Sequence, residues 1–191
     1  DWNWDLSTTY GRDTNEISTL NSANSSLFVD THTTPRNFFD GAFVSSEWTG
    51  NLDVSRAFEV GAASPLNVAF GAETRKETYA ISTGDPASIY KEGGQSYPGF
   101  QPSDAGDHSR TNYAGYIDLA VDPVANLKVD LAVRYEHYSD FGSTTVGKLT
   151  GRYDFTPAFA LRGTVSTGFR APTLAEEFYS ATNVAPTCAV V

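Results

Sequence analysis

The sequence predicts an all-β fold, an antiparallel up-and-down meander forming part of a transmembrane β-barrel. Three observations carry that prediction: two-residue alternation of apolar and polar side chains, long connections confined to one end of the strands, and aromatic residues at strand ends on the apolar parity. Alternation is clearest in the last third. Leu127, Val129, Leu131, Val133 and Tyr135 alternate with Lys128, Asp130, Arg134 and Glu136, and only Ala132 softens the charged set. Successive side chains of a strand point to opposite faces, so this segment has one apolar and one ionic face. Alternation alone does not say what the apolar face touches. A sandwich packs it inward, whereas a membrane barrel turns it to lipid and keeps the polar face in its lumen.

From the start of the chain, Trp2, Trp4, Leu6, Thr8 and Tyr10 alternate with Asn3, Asp5, Ser7 and Thr9, which reads as a first strand. Residues 11–45 are rich in Asn, Ser, Thr, Asp and Gly with little periodicity, and read as a long polar surface loop into which the flanking strands could extend as a projecting hairpin. Trp48, Leu52, Val54 and Phe58 share one parity of a second strand; Arg56 interrupts that stripe near its end, where a long basic side chain can snorkel to an interface. After the turn 61–65, Leu66, Val68, Phe70 and Ala72 oppose Asn67, Gly71, Glu73 and Arg75. Residues 83–110, full of Gly, Pro, Ser and Asp, read as a second long surface loop without a convincing helix or strand. Tyr113, Gly115, Ile117, Leu119 and Val121 then form a stripe against Asn112, Tyr116 and Asp118, and Asp122-Pro123 turns the chain into the ionic strand. Thr145, Gly147, Leu149, Gly151 and Tyr153 oppose Val146, Lys148, Thr150, Arg152 and Asp154; past Thr156-Pro157, Phe159, Leu161, Gly163, Val165 and Phe169 oppose Arg162, Thr164, Ser166 and Arg170. The expectation is about seven antiparallel strands.

Loops and aromatics separate barrel from sandwich. Connections 61–65, 122–126 and 155–158 are all short, whereas the opposite set is long at 11–45 and 83–110 and short only at 139–143. Outer-membrane barrels have short periplasmic turns and longer extracellular loops. Trp2, Trp4, Phe58, Tyr153 and Phe159 fall at short-turn ends, and Trp48, Tyr113, Tyr135 and Phe169 at the others, as two interfacial girdles would.

Composition narrows the function. A net charge of −10 and the absence of any basic stripe argue against nucleic acid as a partner. Aromatics at 13% exclude a disordered acidic tail. No run approaches the roughly 20 apolar residues of a spanning helix, as expected where strands do the crossing. With no methionine and Asp1 as its first residue, the chain reads as a fragment or processed piece. The lone Cys188 builds no disulfide within the chain and no metal site; it reads as an incidental loop residue, with pairing to a cysteine beyond the C-terminus as the alternative.

VRYEHYSDFG, followed by GKLTGRYDFTPAFALRGTVSTGFRAPTLAEEFY, resembles the middle of a TonB-dependent outer-membrane receptor barrel. GFRAPTLAE is the most specific piece, and LNVAFGAETRKETY and WNWDLS are similar to the same family. The resemblance covers most of residues 1–191, least in the two long loops. It implies energised uptake of a scarce nutrient (ferric siderophore, haem, cobalamin or oligosaccharide) across the outer membrane of a Gram-negative bacterium. A plug domain of the same full-length chain and the TonB system are the implied partners, beside outer-membrane lipid and an unidentified small solute. Neither the plug nor the TonB-contacting segment is found in this sequence. Such barrels have about 22 strands, so roughly a third of the wall is present.

No catalytic motif is found, so the expectation is a transporter component and not an enzyme. His32, His108 and His137 lack metal-ligand spacing, Asp104 and Asp107 lack the further carboxylates that calcium needs, and no cofactor is implied. The ionic parity supplies the site residues. Most of its charges are expected to pair across strands and stay hydrated. Arg134, Glu136, Lys148, Arg152, Arg162 and Arg170 are the residues expected to face the lumen or the plug, with Arg134, Glu136 and Arg170 foremost for the plug. Thr173 and Glu176 fit a capping box that starts a helical turn after Pro172. Tyr90, Tyr97 and Phe100 offer aromatic contacts in the second loop. Residues 83–110 and the central part of 11–45 are expected to be the most mobile segments, because they carry few apolar anchors. A passive porin and a soluble β-sandwich binding module are the rival readings.

Overall fold

A computed structural model describes residues 1–183, so Cys188 lies outside the described residues. Seven strands pair in chain order in one sheet: β1 (Asn3–Thr19), β2 (Phe38–Phe58), β3 (Leu66–Ser82), β4 (Gly106–Val124), β5 (Leu127–Tyr138), β6 (Gly142–Thr156) and β7 (Phe159–Ser166). Two short helices are added, α1 (Ser25–Thr31) and α2 (Leu174–Phe178). The expected antiparallel meander is therefore the observed one.

The chain divides into two compact units, a wall unit (Asp1–Tyr10, Trp48–Lys76, Arg110–Ala171) and a connection unit (Gly11–Glu47, Glu77–Ser109 and the segment from Pro172). In the wall unit, β4 to β7 are in an antiparallel register that lines up Leu119, Leu131, Leu149 and Val165 in one row. Among the described residues no second sheet covers that row: Leu131 is 41% and Val165 78% exposed. On the other face of the same strands the side chains are more covered, with Asn112 2% exposed and Asp130, Arg134 and Glu136 half-buried. A soluble sandwich would show the reverse. Rings gather at both strand ends: Trp2 with Phe58 and Phe70, and Tyr153, Phe155 and Phe159, by the short connections; Tyr138, Phe141 and Phe169 at the other end.

The ends of several elements differ from expectation. β1 runs to Thr19 and β2 begins at Phe38, so the expected loop 11–45 shrinks to residues 20–37 and contains α1. Asn24 caps that helix, its side chain accepting from the Leu27 N–H at 2.9 Å. Likewise β3 continues to Ser82 and β4 starts at Gly106, so the expected loop 83–110 becomes 83–105. β7 stops at Ser166, leaving Phe169 and Arg170 beyond the strand where alternation had placed them on it. The reason is local. The Thr167 hydroxyl accepts the Gly147 N–H at 2.9 Å, taking a donor that a continuing ladder would use.

The connection unit has an ordinary core. Tyr79, Ile81, Phe100 and Leu174 are buried together, with Ile17, Phe43, Tyr97 and Phe178 packed against them. The expectation that residues 83–110 carry few apolar anchors is thus corrected at Phe100, which is 2% exposed, whereas in the central part of 11–45 Leu20, Phe28 and Val29 are exposed. Tyr97 and Phe100 pack edge-on at 6.1 Å, Phe100 buried in this core and Tyr97 half-buried against it.

Candidate functional site

The ionic face of the wall unit is built by alternation, which sends every second side chain of β3 and β5 to the same side. Arg134 is its hub. Its Nε donates to Glu136 Oε1 at 2.8 Å, and its Nη2 lies 3.3 Å from Glu73 Oε1 on β3. Arg75 meets the same Glu73 oxygen at 2.8 Å, and the Tyr138 hydroxyl donates to Glu136 Oε2 at 2.8 Å. Two guanidiniums, two carboxylates and a phenol thus tie β3 to β5. Half-buried, the pairs are screened less than exposed ones.

The other expected site residues are placed in smaller groups. Lys148 pairs with Asp130 across β5 and β6 at 2.8 Å, and Arg152 with Asp154 along β6 at 2.8 Å. Arg162 stands opposite Arg152, which is itself opposite Lys128, so a basic row crosses three strands. Lys128 reaches back to Asp122 at 2.6 Å. Arg170 lies after β7 and is not part of the strand face, although it has interactions of its own.

One lock on this face was not anticipated. The Tyr116 hydroxyl on β4 donates to Asp53 on β2, reaching across β3. Gly71 makes the reach possible, because a Cβ there would stand 2.5 Å from the Tyr116 ring and 2.7 Å from Asp53 Oδ1. The signal was present as a glycine on the polar parity of β3.

Within the connection unit, hydrogen bonds lace the two long connections together. The fully buried Asn24 donates to the carbonyls of Ala87 and Tyr90 at 3.0 and 2.8 Å, Ser26 donates to Glu92, and Asp30 accepts from Tyr90 and Lys91. The hydrogen bond and charge of Lys91 hold the Asp30 carboxyl below its ordinary range. Buried Asp40 accepts from Thr19 at 2.6 Å, yet loss of solvent raises its pKa beyond what that bond offsets. The capping box at α2 forms as expected, Glu176 N–H to Thr173 Oγ1 at 3.1 Å and Thr173 N–H to Glu176 Oε2 at 2.8 Å. Asp104 then fastens the segment after α2, accepting from Ser180 and from the Thr182 hydroxyl at 2.8 Å each and the Thr182 N–H at 2.9 Å. Burial alone would raise the Asp104 pKa, but these bonds outweigh it and hold it below the usual carboxylate range. A cavity of about 530 Å³ in the same unit is lined by Arg12, Asp13, Ser46, Glu77, Tyr79 and Leu174 among others. The mix of charges, hydroxyls and a ring suits a polar ligand and selects none.

Inverted burial on an antiparallel meander, with its ionic pairs on the covered face, is the pattern of a membrane-barrel wall. The family described as TonB dependent receptor-like, beta-barrel, matches residues 1–189. No curated protein and no solved structure gives a significant match. The chain belongs to the TonB-dependent receptor barrel family, a family of Gram-negative outer-membrane transporters.

Proposed function

We propose, from that membership, that residues 1–191 are a stretch of receptor wall serving energised uptake of a scarce nutrient. The solute class is a ferric siderophore, haem, cobalamin or an oligosaccharide, and the TonB system supplies the energy through a plug domain of the full-length protein. The observation that supports this most is the face-by-face burial of β4 to β6, where Leu131 and Tyr135 are exposed while Arg134 and Glu136 are half-buried and paired. On this reading the apolar parity meets lipid. Arg134, Glu136, Lys148, Arg152 and Arg162 line the lumen, and the Glu73–Arg134–Glu136 group faces the plug. Arg170 joins them from the segment after β7.

Cells carrying the complete receptor are offered each of the four solute classes, with and without collapse of the proton-motive force. Uptake of one class that ceases on collapse is expected. Uptake that persists without energy, together with steady ion conductance of the purified protein in a planar bilayer, is the behaviour of a passive porin and sinks the proposal. Purification as a monodisperse protein without detergent sinks it in favour of a soluble sandwich.

A further inference from the structure

Arg56 lies on the apolar parity of β2, after Leu52 and Val54 and two residues before Phe58, where the strand ends. Three arginines of the ionic face have carboxylates: Arg75 has Glu73, Arg134 has Glu73 and Glu136, and Arg152 has Asp154. Arg56 is held differently. Its guanidinium carbon sits 5.3 Å from the centre of the Trp2 ring and 4.9 Å from that of Phe58. Trp2, just before β1, meets Phe58 on β2 and Phe70 on β3 edge-on at 5.9 and 6.1 Å, so the two rings that hold Arg56 belong to a cluster of three. The Arg56 Nε is buried without a hydrogen-bond partner, and no ion pair or hydrogen bond of this guanidinium occurs among the described residues. The strands beside β2 are β1 and β3, both in this chain, so its in-sheet surroundings are complete.

A guanidinium stays charged in proteins and carries five N–H donors. Ring faces attract its charge but accept no conventional hydrogen bond. On a face turned to lipid, an acceptor for the terminal Nη groups has to come from the membrane, since the buried Nε is out of its reach. Arg56 stands beside the short connection between β2 and β3, residues 59–65. Short connections mark the periplasmic end of such barrels, and tryptophan rings settle at headgroup level. The anionic group at that level is a lipid phosphate, which a guanidinium binds through two parallel N–H bonds. We propose that Arg56, held against Trp2 and Phe58, binds the phosphate of a membrane lipid headgroup in the periplasmic leaflet. The inference rests on the lipid-facing reading of the apolar parity.

Native mass spectrometry of the complete receptor, extracted in a mild uncharged detergent, tests it with two lipids of identical acyl chains. One is phosphatidylglycerol; the other is a glycosyl diacylglycerol, which has no phosphate. Wild type should retain phosphatidylglycerol about fivefold better, the effect of one basic residue at an anionic membrane surface. Arg56→Gln should lose that preference and Arg56→Lys keep part of it, with folding of each checked by heat-modifiable mobility. The wild-type comparison needs no variant, so a misfolded Arg56→Gln leaves the test intact. Equal retention of the two lipids by wild type overturns the site, as does an unchanged preference in folded Arg56→Gln. Uptake of inorganic phosphate in place of lipid would also overturn it, by making the site one for a free ion. A receptor that stays soluble without detergent and carries neither lipid overturns the lipid-facing assignment itself.

Discussion

Around Leu131 the apolar side chains are exposed and their polar neighbours half-covered, whereas around Phe100 the apolar side chains are buried. Both arrangements occur in one chain built largely of the same strands: β3 carries Phe70 exposed in the wall unit and Ile81 buried in the connection unit. Burial follows the medium each face meets. Where an apolar face is exposed along four strands, lipid is the surround that makes exposure favourable, since leaving that area in water forfeits roughly 25 cal/mol for each Å². The connection unit follows the rule for proteins in water, with a ring-rich core and polar atoms satisfied from distant segments.

The comparison breaks most visibly if both regions respond alike to the same kind of damage. Phe100→Ala should cost the connection unit about 3–5 kcal/mol, the usual loss for a buried phenyl ring, seen as faster hydrogen exchange at Tyr79–Ile81 with β5 unchanged. Loss of protection throughout the sheet would mean that the two units are one cooperative core. Leu131→Arg should cost about 2–4 kcal/mol in reversible unfolding from lipid vesicles, because a guanidinium is placed in hydrocarbon.

Volume separates the regions better than charge. Ile81→Trp should destabilise the connection unit by about 1–3 kcal/mol through overpacking. Leu131→Trp adds similar bulk on a face with no protein against it and should be close to neutral. If the two tryptophan variants lose the same stability, Leu131 is in a protein core and the transporter reading fails with it.

What could be read from sequence follows the same division. β5 and β6 were legible to within two or three residues, because an apolar face on one side and a charged face on the other write alternation into 127–136 and 145–154. The extensions 11–19 and 38–46 were open as a projecting hairpin, but no alternation fixed their bounds. Residues 11–16 are exposed on both faces of β1, and buried Asp40 and Gly41 interrupt any stripe in β2, although the ladder continues through both. A ladder needs only backbone partners; alternation reports the medium. The capping box was visible because its residues are three apart, a spacing local enough to recognise. Asn24 was not, since its partners Ala87 and Tyr90 are 63 and 66 residues away. The Glu73–Arg134 contact was missed for the same reason: parity puts both on one face but cannot say which strands lie close.

Acid should sharpen the contrast by loosening the connection unit first. The folded Asp104 carboxyl has a pKa below that of the unfolded chain, about 3.9. Its contribution is therefore complete above that value and is lost as pH falls through the lower folded one. Corrected for intrinsic rates, exchange at Thr182 should rise at the acid end of a titration and stay flat at neutral pH. Asp104→Asn should raise exchange at all pH values and remove the acid step. An acid step that survives in Asp104→Asn would assign it to another carboxylate.

The smallest effect is expected next door to one of the largest. Asp130 adjoins Leu131 on β5 but points to the ionic face, where it pairs with Lys148 at 2.8 Å. Both partners keep about a third or more of their side chains exposed, so water screens the pair, although the Asp130 Oδ1 that meets Lys148 is itself buried. Asp130→Asn retains the shape and one acceptor oxygen while removing the charge. Its cost should stay under about 1 kcal/mol, as for other solvated ion pairs. Lys148→Gln should cost the same, and the double variant little more than either, because each single change already removes the interaction. The measurement is unfolding of the complete receptor in lipid vesicles, each variant beside wild type and Leu131→Arg. A loss at Asp130 matching that at Leu131 would show the carboxylate desolvated by whatever covers this face in the assembled barrel. The ionic side would then be a packed interface, and the wet lumen surface proposed for it would be wrong at Asp130.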